Sequence, residues 1–434
     1  MRNIICLMID RFHVAFLGAY GNSEIETPAL NHLAADSFVA DRYHADTPQL
    51  SMLYRSLWTG SHAGMEEAFL PENWVESLSR AGYQTVLLTD DIEIAYSPYR
   101  DGFAQVELIP EQTPEQTSEF PCEEREQTQL FRCFAQLCQV AEHLVALEKP
   151  YFLWCHFRAF GGIWDFPLAY REKYTGRDDP APFSETVVPC FHEKDIIGEK
   201  AGEKDTTGEF ADLRQSCSAA YSGGIQLLDE LFEPFYLGLK EGAFGLETLF
   251  LLAGARGIPL GEHGQIGLSA DEKEPLYSEL VHLPLILRFP DGLAQTVRSD
   301  ALMLPADLGG LVLEWLDLAP HEPKILPLIH EKLMSEKLTN EEASQLRDHI
   351  VMIGPDDESA VLTPSWFLRV PGHGNNPELY VKPDDRWEVN DVADRCDETV
   401  RQLTDLIVRR RREIELGLLE TDEPLDPQLT ERVD

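Results

Sequence analysis

Short, almost wholly apolar runs alternate with amphipathic stretches through most of the chain. An apolar run without polar alternation is typical of a parallel strand that is buried on both faces. Such runs predict strands at Asn3 to Ile9, Thr85 to Leu88, Tyr151 to Cys155, Thr248 to Leu252 and Pro284 to Phe289. Helical patterns lie between them at Pro28 to Ala35, Trp74 to Arg80, Glu124 to Leu147 and Cys217 to Leu239. This alternation predicts an α/β fold with a mostly parallel sheet flanked by helices, in which ligands bind at the carboxyl ends of strands.

The pattern changes in two regions. At about residues 174–213 the periodicity fails, and we interpret this segment as an acidic surface insertion. After Asp317 the pattern predicts a smaller α+β unit, so we divide the chain into an α/β domain at residues 1–325 and a C-terminal domain at residues 326–434. The second domain is expected to contain a charged helix from His330 to His349, strands at Trp366 to Val370 and Glu378 to Val381, a helix from Asp397 to about Leu419, and a frayed polar tail.

Composition narrows the classes of partner. Lys and Arg number 36 against 76 Asp and Glu, which gives a formal net charge of −40. A surface of this charge repels phosphate backbones and anionic lipids, so we expect neither nucleic acid nor a membrane as a partner. No apolar stretch approaches the roughly 20 residues that span a bilayer, and no secretory signal pattern is present, so we expect a cytoplasmic protein. The 8 Cys residues form no CxxC pair and are expected to be reduced thiols.

Several longer motifs stand within and after the predicted strands. They are NIICLMID from residue 3, LGAYG from residue 17, TPALNHLA from residue 27, LWTG from residue 57, LGEHG from residue 260 and LYSELVHLPLILRFP from residue 276. Their shared order and spacing resemble the sulfatase family of the alkaline phosphatase superfamily. The resemblance implies an alkaline-phosphatase-like sheet with a smaller C-terminal α+β domain. It also implies hydrolysis of sulfuric esters with the help of a divalent metal ion, usually calcium.

The resemblance breaks at the positions that hold the metal ion in the family. Family enzymes bind it through two consecutive Asp residues after the first strand and through an Asp with an Asn or His after a later strand. Here Asp10 keeps the first position, Arg11 occupies the second, and Ala255 and Arg256 stand on the later pair. Asp10 alone cannot supply the oxygen ligands that a hard cation requires. We therefore expect no metal cofactor, and a contact from Asp10 to Arg11, Arg256 or a backbone donor.

The nucleophile position is also altered. The family nucleophile is a Cys or Ser in the pattern C-x-P-S-R-x-x-L-x-T-G, where it is oxidised to formylglycine. Counting back from the TG of LWTG without a gap places Leu50 on the nucleophile and Tyr54 on the Arg. A one-residue deletion instead places Ser51 on the nucleophile and Arg55 on the Arg. Ser51 is therefore a weak candidate for a catalytic residue.

The remaining family positions carry different side chains as well. A Lys and a His of the family give way to Asp90 and Asp91 after the second predicted strand. A family His corresponds to Arg158 in an ungapped comparison, with His156 two residues earlier. A Lys after LGEHG corresponds to Leu268. Replacement at nearly all positions, inside segments whose flanks still match, indicates a change of chemistry.

Arginine is the residue that most often stands on the altered positions. The candidates for an anion-binding cleft are Arg11, Arg55, Arg158, Arg256 and His263. Guanidinium groups hold sulfate, phosphate or carboxylate in a bidentate manner, which favours an anion site. The same Arg residues could instead pair with Asp10 and its acidic neighbours and fill the old site with salt bridges. The sequence leaves both possibilities open.

Two functions from different classes follow from these observations. In the first, the chain is a sulfatase-like pseudoenzyme that has lost metal-dependent hydrolysis and binds a small anion such as a sulfate or phosphate ester. In the second, it is an active sulfuric-ester or phosphate-ester hydrolase with a rebuilt site that uses Ser51 or Thr47, with calcium or magnesium as a possible cofactor. A hydroxyl nucleophile needs a base or a metal for activation, and no base stands beside either residue in the sequence, so we favour the first. The oligomeric state stays open.

Overall fold

The computed structural model describes residues 2–111, 121–198, 206–269, 273–318, 347–372, 376–418 and 424–431. Its strands in chain order are β1 (Asn3–Ile9), β2 (Phe38–His44), β3 (Gln84–Thr89), β4 (Gln105–Leu108), β5 (Tyr151–Phe157), β6 (Cys190–His192), β7 (Thr248–Gly254), β8 (Gln265–Gly267), β9 (His282–Arg288), β10 (Arg298–Met303), β11 (Ile350–Ile353), β12 (Ser359–Leu362), β13 (Trp366–Val370) and β14 (Glu378–Val381).

The central sheet has eight strands in the order β10-β2-β9-β7-β1-β5-β3-β4. Strand β9 runs antiparallel to both of its neighbours, and every other pair in this sheet is parallel. The predicted mostly parallel α/β sheet is therefore confirmed. The short strands β6 and β8 form a separate antiparallel pair.

The helices cover both faces of the central sheet. In chain order they are α1 (Pro28–Ala35), α2 (Leu50–Thr59), α3 (Val75–Arg80), α4 (Ile92–Ala95), α5 (Gln129–Ala146), α6 (Leu168–Glu172), α7 (Glu193–Gly198), α8 (Thr206–Glu241), α9 (Ser278–Val281), α10 (Asp307–Trp315), α11 (Asp397–Glu415) and α12 (Pro427–Thr430). Helices α1, α5 and α8 contribute to the core on one face, and α2, α3 and α10 to the core on the other.

Strand β1 explains why the sheet needs cover on both sides. Its side chains alternate between the two cores, with Ile5, Leu7 and Ile9 in one and Ile4, Cys6 and Met8 in the other. Successive side chains of a strand point to opposite faces, so a strand that is apolar at every position is stable only in the middle of a sandwich of helices. Polar residues then begin at Asp10, where the strand ends.

A smaller antiparallel sheet follows the central one, with the strand order β11-β12-β13-β14. Helix α11 packs Leu403, Leu406 and Ile407 against it, in a core that also contains Val361 and Leu368. The predicted smaller C-terminal α+β unit is confirmed in this form. The predicted boundary at residue 325 and most of the predicted helix from His330 lie outside the described residues.

Two segments without a clear hydrophobic period contain secondary structure. The acidic segment at residues 174–213 contains β6, α7 and the first turns of α8, and Phe210 of α8 packs into the apolar core. The tail contains helix α12. Its Leu429 side chain is buried, and the Leu429 main-chain carbonyl accepts a hydrogen bond from Thr363 Oγ1 at 2.7 Å. Among the described residues, no helix combines the length and apolarity needed to cross a bilayer.

Candidate active site

The register of the central strands brings several predicted residues to one edge of the sheet. Ile9 at the end of β1 pairs with Gly254 in β7 and with Phe157 in β5. The residues that follow these strands therefore begin at the same level. Asp10, Arg256 and Arg158 come together in this way and line one open cleft. Arg11, Asp91 and Glu274 line the same cleft.

Asp10 and Arg256 form a bidentate ion pair on the floor of the cleft. Arg256 Nε lies 2.9 Å from Asp10 Oδ1, and Arg256 Nη2 lies 2.7 Å from Asp10 Oδ2. The contact expected for Asp10 is thus present. Burial alone would raise the pKa of Asp10, but the charge and hydrogen bonds of Arg256 outweigh it and lower the pKa to about 2. Asp10 is therefore ionised at any physiological pH.

Arg11 forms a second ion pair, with Glu274. Arg11 Nη2 lies 3.0 Å from Glu274 Oε1, and Arg11 Nη1 donates to the carbonyl oxygen of Gly257 at 3.3 Å. Both side chains are almost fully buried. The backbone of Arg11 has a positive φ of 59°, and its carbonyl accepts a hydrogen bond from Tyr221 Oη at 2.7 Å. The strained conformation is thereby held by a buried hydrogen bond.

The contact between Arg11 and Glu274 leaves polar atoms without partners. Arg11 Nε and Glu274 Oε2 are buried and have no hydrogen bond within the described part of the chain. A single end-on contact cannot satisfy a guanidinium and a carboxylate that are both removed from water. This second pair is therefore less well satisfied than the pair of Asp10 and Arg256.

Arg158 lies at the mouth of the cleft and is the most accessible of its Arg side chains. Its backbone N–H donates to Asp90 Oδ1 at 2.8 Å, and its guanidinium contacts Glu111. Arg158 Nε lies 3.8 Å from Asp91 Oδ2, and the side chain is 34% exposed. The Arg side chains of the cleft are consequently all beside carboxylates.

Helix α2 presents its first turn to the cleft. Leu50 and Ser51 line the cleft, and Ser51 is exposed. One turn further along the helix, Tyr54 Oη lies 2.6 Å from His156 Nδ1. Positions four residues apart share a helix face, so Leu50 and Tyr54 belong to the side that faces the strand ends.

Arg55 is not brought to the cleft. It lies one position further around α2, where its guanidinium donates to the carbonyl oxygen of Ala63 and lies over the ring of Tyr99 at 6.0 Å. Thr47 is buried as well, and its Oγ1 accepts a hydrogen bond from the Gln49 backbone at 3.3 Å. The helical periodicity of α2 thus separates Arg55 from the other Arg candidates.

His263 lies in a different groove, between the LGEHG turn and helix α8. This groove is lined by Glu193, Arg214 and Glu262 besides His263. His263 Nδ1 lies 2.7 Å from Glu279 Oε1. His263, Glu279 and Glu388 are the only group of three potential metal-ligating side chains found among the described residues. Glu388 already accepts a hydrogen bond from Lys382 Nζ at 2.7 Å, so one of the two carboxylates of this cluster has a cationic partner.

The comparisons with known proteins identify the family. The sulfatase family model matches residues 2–318, and the chain belongs to this family. It is 22% identical over 433 aligned residues to an arylsulfatase of Clostridium perfringens (strain 13 / Type A), covering 84% of this chain and 85% of that protein.

Solved structures share the fold over nearly the whole chain. A phosphonate monoester hydrolase of Agrobacterium radiobacter superposes with a TM-score of 0.71 at 18% identity, covering 95% of this chain and 96% of that one. A phosphonate monoester hydrolase of Silicibacter pomeroyi gives a TM-score of 0.66 at 17% identity, with coverage of 95% and 96%. A protein solved in complex with its substrate D-glucosamine-2-N,6-O-disulfate gives 0.67 at 15% identity, with coverage of 95% and 98%.

The cleft residues do not fit the divalent cation that the family implies. Both oxygens of Asp10 accept hydrogen bonds from Arg256, so a guanidinium already balances the charge of this carboxylate. Arg11 and Ala255 offer no oxygen ligand from their side chains. Asp91 and Glu274 also line the cleft, but they lie beside Arg158 and Arg11, so the oxygen donors left for a cation fall below the six to eight that calcium takes.

The sequence did not predict Glu274 as part of the cleft, nor the buried pair of Tyr54 and His156 next to Asp91. Glu274 follows the LGEHG motif in a segment without hydrophobic periodicity, so nothing in the pattern places it opposite Arg11. His156 lies two residues before the position expected for the family His, and its Nε2 lies 3.8 Å from Asp91 Oδ2. The alternation of β5 carried the relevant signal, because His156 and Tyr54 both belong to the face of the sheet that α2 covers.

Proposed function

We propose that the chain is a sulfatase-fold pseudoenzyme: it has lost metal-dependent ester hydrolysis and keeps a cleft that accepts a small anion. The observation that carries this proposal is the bidentate pair of Arg256 with Asp10. A guanidinium there supplies positive charge and fixed hydrogen-bond donors at the base of the cleft. It does not supply the Lewis acidity that activates a nucleophile in metal-dependent hydrolysis.

The nucleophile position gives independent support. Tyr54 points to His156, whereas Arg55 points away from the cleft, which favours the ungapped comparison with the family pattern. In that comparison Leu50 stands on the nucleophile, and a leucine side chain has no atom that can attack an ester. Ser51 reaches the cleft, but no described side chain forms a hydrogen bond with its hydroxyl, so no general base is positioned to activate it.

The anion-accepting part of the proposal rests on donors that point into the open cleft. Arg256 uses Nε and Nη2 for Asp10, and its Nη1 makes no hydrogen bond with the described residues. Arg158 is partly exposed beside it. The first turn of α2, from Leu50, faces the same space, and the Gln49 side chain does not cap its free N–H groups. Uncapped N–H groups at a helix start attract anions, and here they stand opposite guanidinium groups.

The neighbouring carboxylates limit the affinity of this cleft. Asp10, Asp91 and Glu274 line it together with the Arg residues, so a bound anion gains hydrogen bonds but little net charge attraction. Charged hydrogen bonds contribute about 1.5–3 kcal/mol each, which corresponds to roughly millimolar binding once the cost of association is subtracted. We expect a singly charged sulfate or phosphate ester to be favoured over a dianion.

Metal content and turnover test the loss of hydrolysis. Elemental analysis of the purified protein is expected to give no stoichiometric calcium or magnesium, and aryl sulfate and aryl phosphate esters are expected to be turned over at background rate. One equivalent of cation per chain would contradict the proposal. Turnover that disappears in Ser51→Ala would contradict it too, and would favour an active hydrolase with a rebuilt site.

A titration tests the anion-accepting cleft. Methyl sulfate, a singly charged sulfate ester, is added at constant ionic strength while the melting temperature is followed, because a ligand that binds only the folded state raises it. Arg158→Ala is expected to weaken the apparent affinity about five- to tenfold. Arg401→Ala is the matched control, because Arg401 is an exposed Arg on α11 whose guanidinium also contacts an acid. Equal stabilisation in both variants would show that the effect is not specific to the cleft.

A further inference from the structure

His263 lies where the central α/β unit meets the smaller C-terminal sheet. It stands in the LGEHG turn just before β8, and its Nδ1 lies 2.7 Å from Oε1 of Glu279 on α9. Its Nε2 lies 3.2 Å from the main-chain oxygen of Glu388, in the turn that follows β14. The imidazole also stacks on the ring of Tyr277, with 3.6 Å between the ring centroids and 4° between the planes. One side chain therefore connects elements of both units.

The two hydrogen bonds of His263 fix the number of protons at this junction. A main-chain carbonyl oxygen only accepts, so Nε2 carries a hydrogen. A further hydrogen is needed between Nδ1 and Glu279, because an imidazole lone pair and a carboxylate repel each other. The pair of His263 and Glu279 thus holds one proton more than a neutral imidazole and a free carboxylate. The doubly protonated imidazolium beside a carboxylate satisfies every contact.

The charges around the ring come from several elements and favour this state. Glu262 on the same turn, Glu279 on α9 and Glu388 after β14 are the acidic groups that act on the pair. Two cations stand further out, where they are paired with acids of their own. Lys382 Nζ lies 2.7 Å from Glu388 Oε1. The Arg369 guanidinium carbon lies 4.2 Å from the centroid of the Tyr277 ring, and Arg369 Nη1 lies 2.9 Å from Glu378 Oε2.

The titration behaviour of both groups agrees with the geometry. Burial would lower the pKa of His263, but the hydrogen bond and charge of Glu279 outweigh it and raise the pKa. Burial raises the pKa of Glu279 to about 7, despite the opposing effect of His263. Both directions mean that the folded pair keeps a proton to a higher pH than the same groups keep it in the unfolded chain.

We propose that His263, Glu279 and the Glu388 carbonyl form a proton-dependent clasp, which holds the C-terminal sheet against the α/β unit and weakens as the pH rises. When the shared proton leaves, the neutral imidazole has one ring N–H left for two acceptors, Glu279 Oε1 and the Glu388 carbonyl oxygen. One of the two hydrogen bonds is then lost, so His263 no longer connects α9 and the turn after β14 at the same time. Alkaline conditions are thereby coupled to loosening of the junction beside the groove that His263 lines.

The sign of the pH dependence follows from proton linkage. An unfolded His and Glu titrate near pH 6.5 and 4.3, so above about pH 6.5 the folded pair binds more protons than the unfolded one. Stability contributed by the clasp is fully present below that pH and is lost as the pH rises through the folded pKa values. One linked proton changes the unfolding equilibrium constant at most about tenfold per pH unit.

Urea unfolding between pH 6 and 8.5 tests the clasp in the full chain. Wild type is compared with Glu279→Gln, in which the amide can donate to Nδ1 of a neutral His263 and the contacts survive without the extra proton. We expect the equilibrium constant for folding to fall more steeply with pH in wild type than in Glu279→Gln, by up to about tenfold per pH unit. His143→Gln is the control, because His143 is an exposed His on α5, and it should keep the wild-type slope.

A spectroscopic readout separates the clasp from a general effect of pH. In protein labelled with ¹⁵N-histidine, the resonances of His263, assigned by their absence in His263→Gln, are expected to show both ring nitrogens protonated at pH 7. Equal pH slopes in wild type and Glu279→Gln would overturn the proposal. A neutral His263 at pH 7 would overturn it as well.

Discussion

The pair of Asp10 with Arg256 predicts a large loss of stability when the Arg alone is removed. In Arg256→Ala, Asp10 stays in place with a side chain that is only 2% exposed and has lost its bidentate partner. The pKa of Asp10, about 2 against a usual 3.8, corresponds to roughly 2 kcal/mol of native-state preference for the carboxylate. Loss of that preference adds to the uncompensated burial of the charge, and removal of one partner of a buried pair typically costs about 3–5 kcal/mol.

Thermal or urea unfolding followed by tryptophan fluorescence measures this loss. At about 2 °C per kcal/mol for a large chain, Arg256→Ala is expected to lower the melting temperature by roughly 6–10 °C. The control is Asp10→Asn/Arg256→Ala, which removes both charges and should recover at least half of the lost stability. A loss below about 1 kcal/mol in the single variant, or no recovery in the double variant, would show that the pair does not neutralise a buried charge.

Further predictions concern acid stability, a buried Arg and the thiols. Because its folded pKa is lowered, Asp10 contributes stability above about pH 4 that is lost as the pH falls towards 2, so Asp10→Asn should flatten the acid limb of a pH titration of stability. Arg171→Ala should destabilise the chain by about 3 kcal/mol in urea unfolding, because the fully buried guanidinium donates only to main-chain carbonyls, which would lose their donors. Under native conditions a thiol reagent should label exposed Cys190 rapidly, whereas Cys6 and Cys155, whose pKa values burial raises, should react only on unfolding.

The buried strands could be predicted because burial on both faces requires an apolar residue at every position, and such a run is visible in the sequence. Strand β1 matches its predicted bounds at Asn3 and Ile9, and β13 and β14 also match. A side chain that must enter a core on either face has to be apolar, so the run itself gives the strand limits. The direction of β9 was not predictable in this way, since an apolar run is the same whether its neighbours run parallel or antiparallel to it.

Strands β2 and β10 were missed for a related reason. Strand β2 (Phe38–His44) contains Asp41 and Arg42 in its middle, and β10 (Arg298–Met303) begins with polar residues. β10 is the edge strand of the central sheet and β2 lies next to it, and Asp41 and Arg42 in β2 are only partly buried. Their stability comes from pairing with distant strands, which a local hydrophobic pattern does not report.

The same distinction applies to the candidate site: some of its residues could be placed from the local sequence, whereas others are placed only by contacts between distant segments. The approach of Arg256 and Arg158 to Asp10 was predictable, because all three follow parallel strands that end at one edge. The position of Arg55 was not, because one step along a helix rotates a side chain by about 100°. Glu274 could not be placed from the sequence at all, since only the folded loop brings it to Arg11.

In the proposed function the cleft binds an anion without hydrolysing it, because a guanidinium performs only one of the two roles that a divalent cation has in a hydrolase. A metal ion in a hydrolase both attracts the anion and lowers the pKa of the group that attacks it. The Arg256 guanidinium attracts an anion through directional hydrogen bonds, but it keeps its own protons and accepts no electron pair from a nucleophile. The variant Leu50→Ser would add a hydroxyl at the start of α2, in the cleft, without adding a base or a metal. We expect this variant to show no turnover of aryl sulfates, whereas turnover above background would mean that the Arg side chains alone can activate an alcohol.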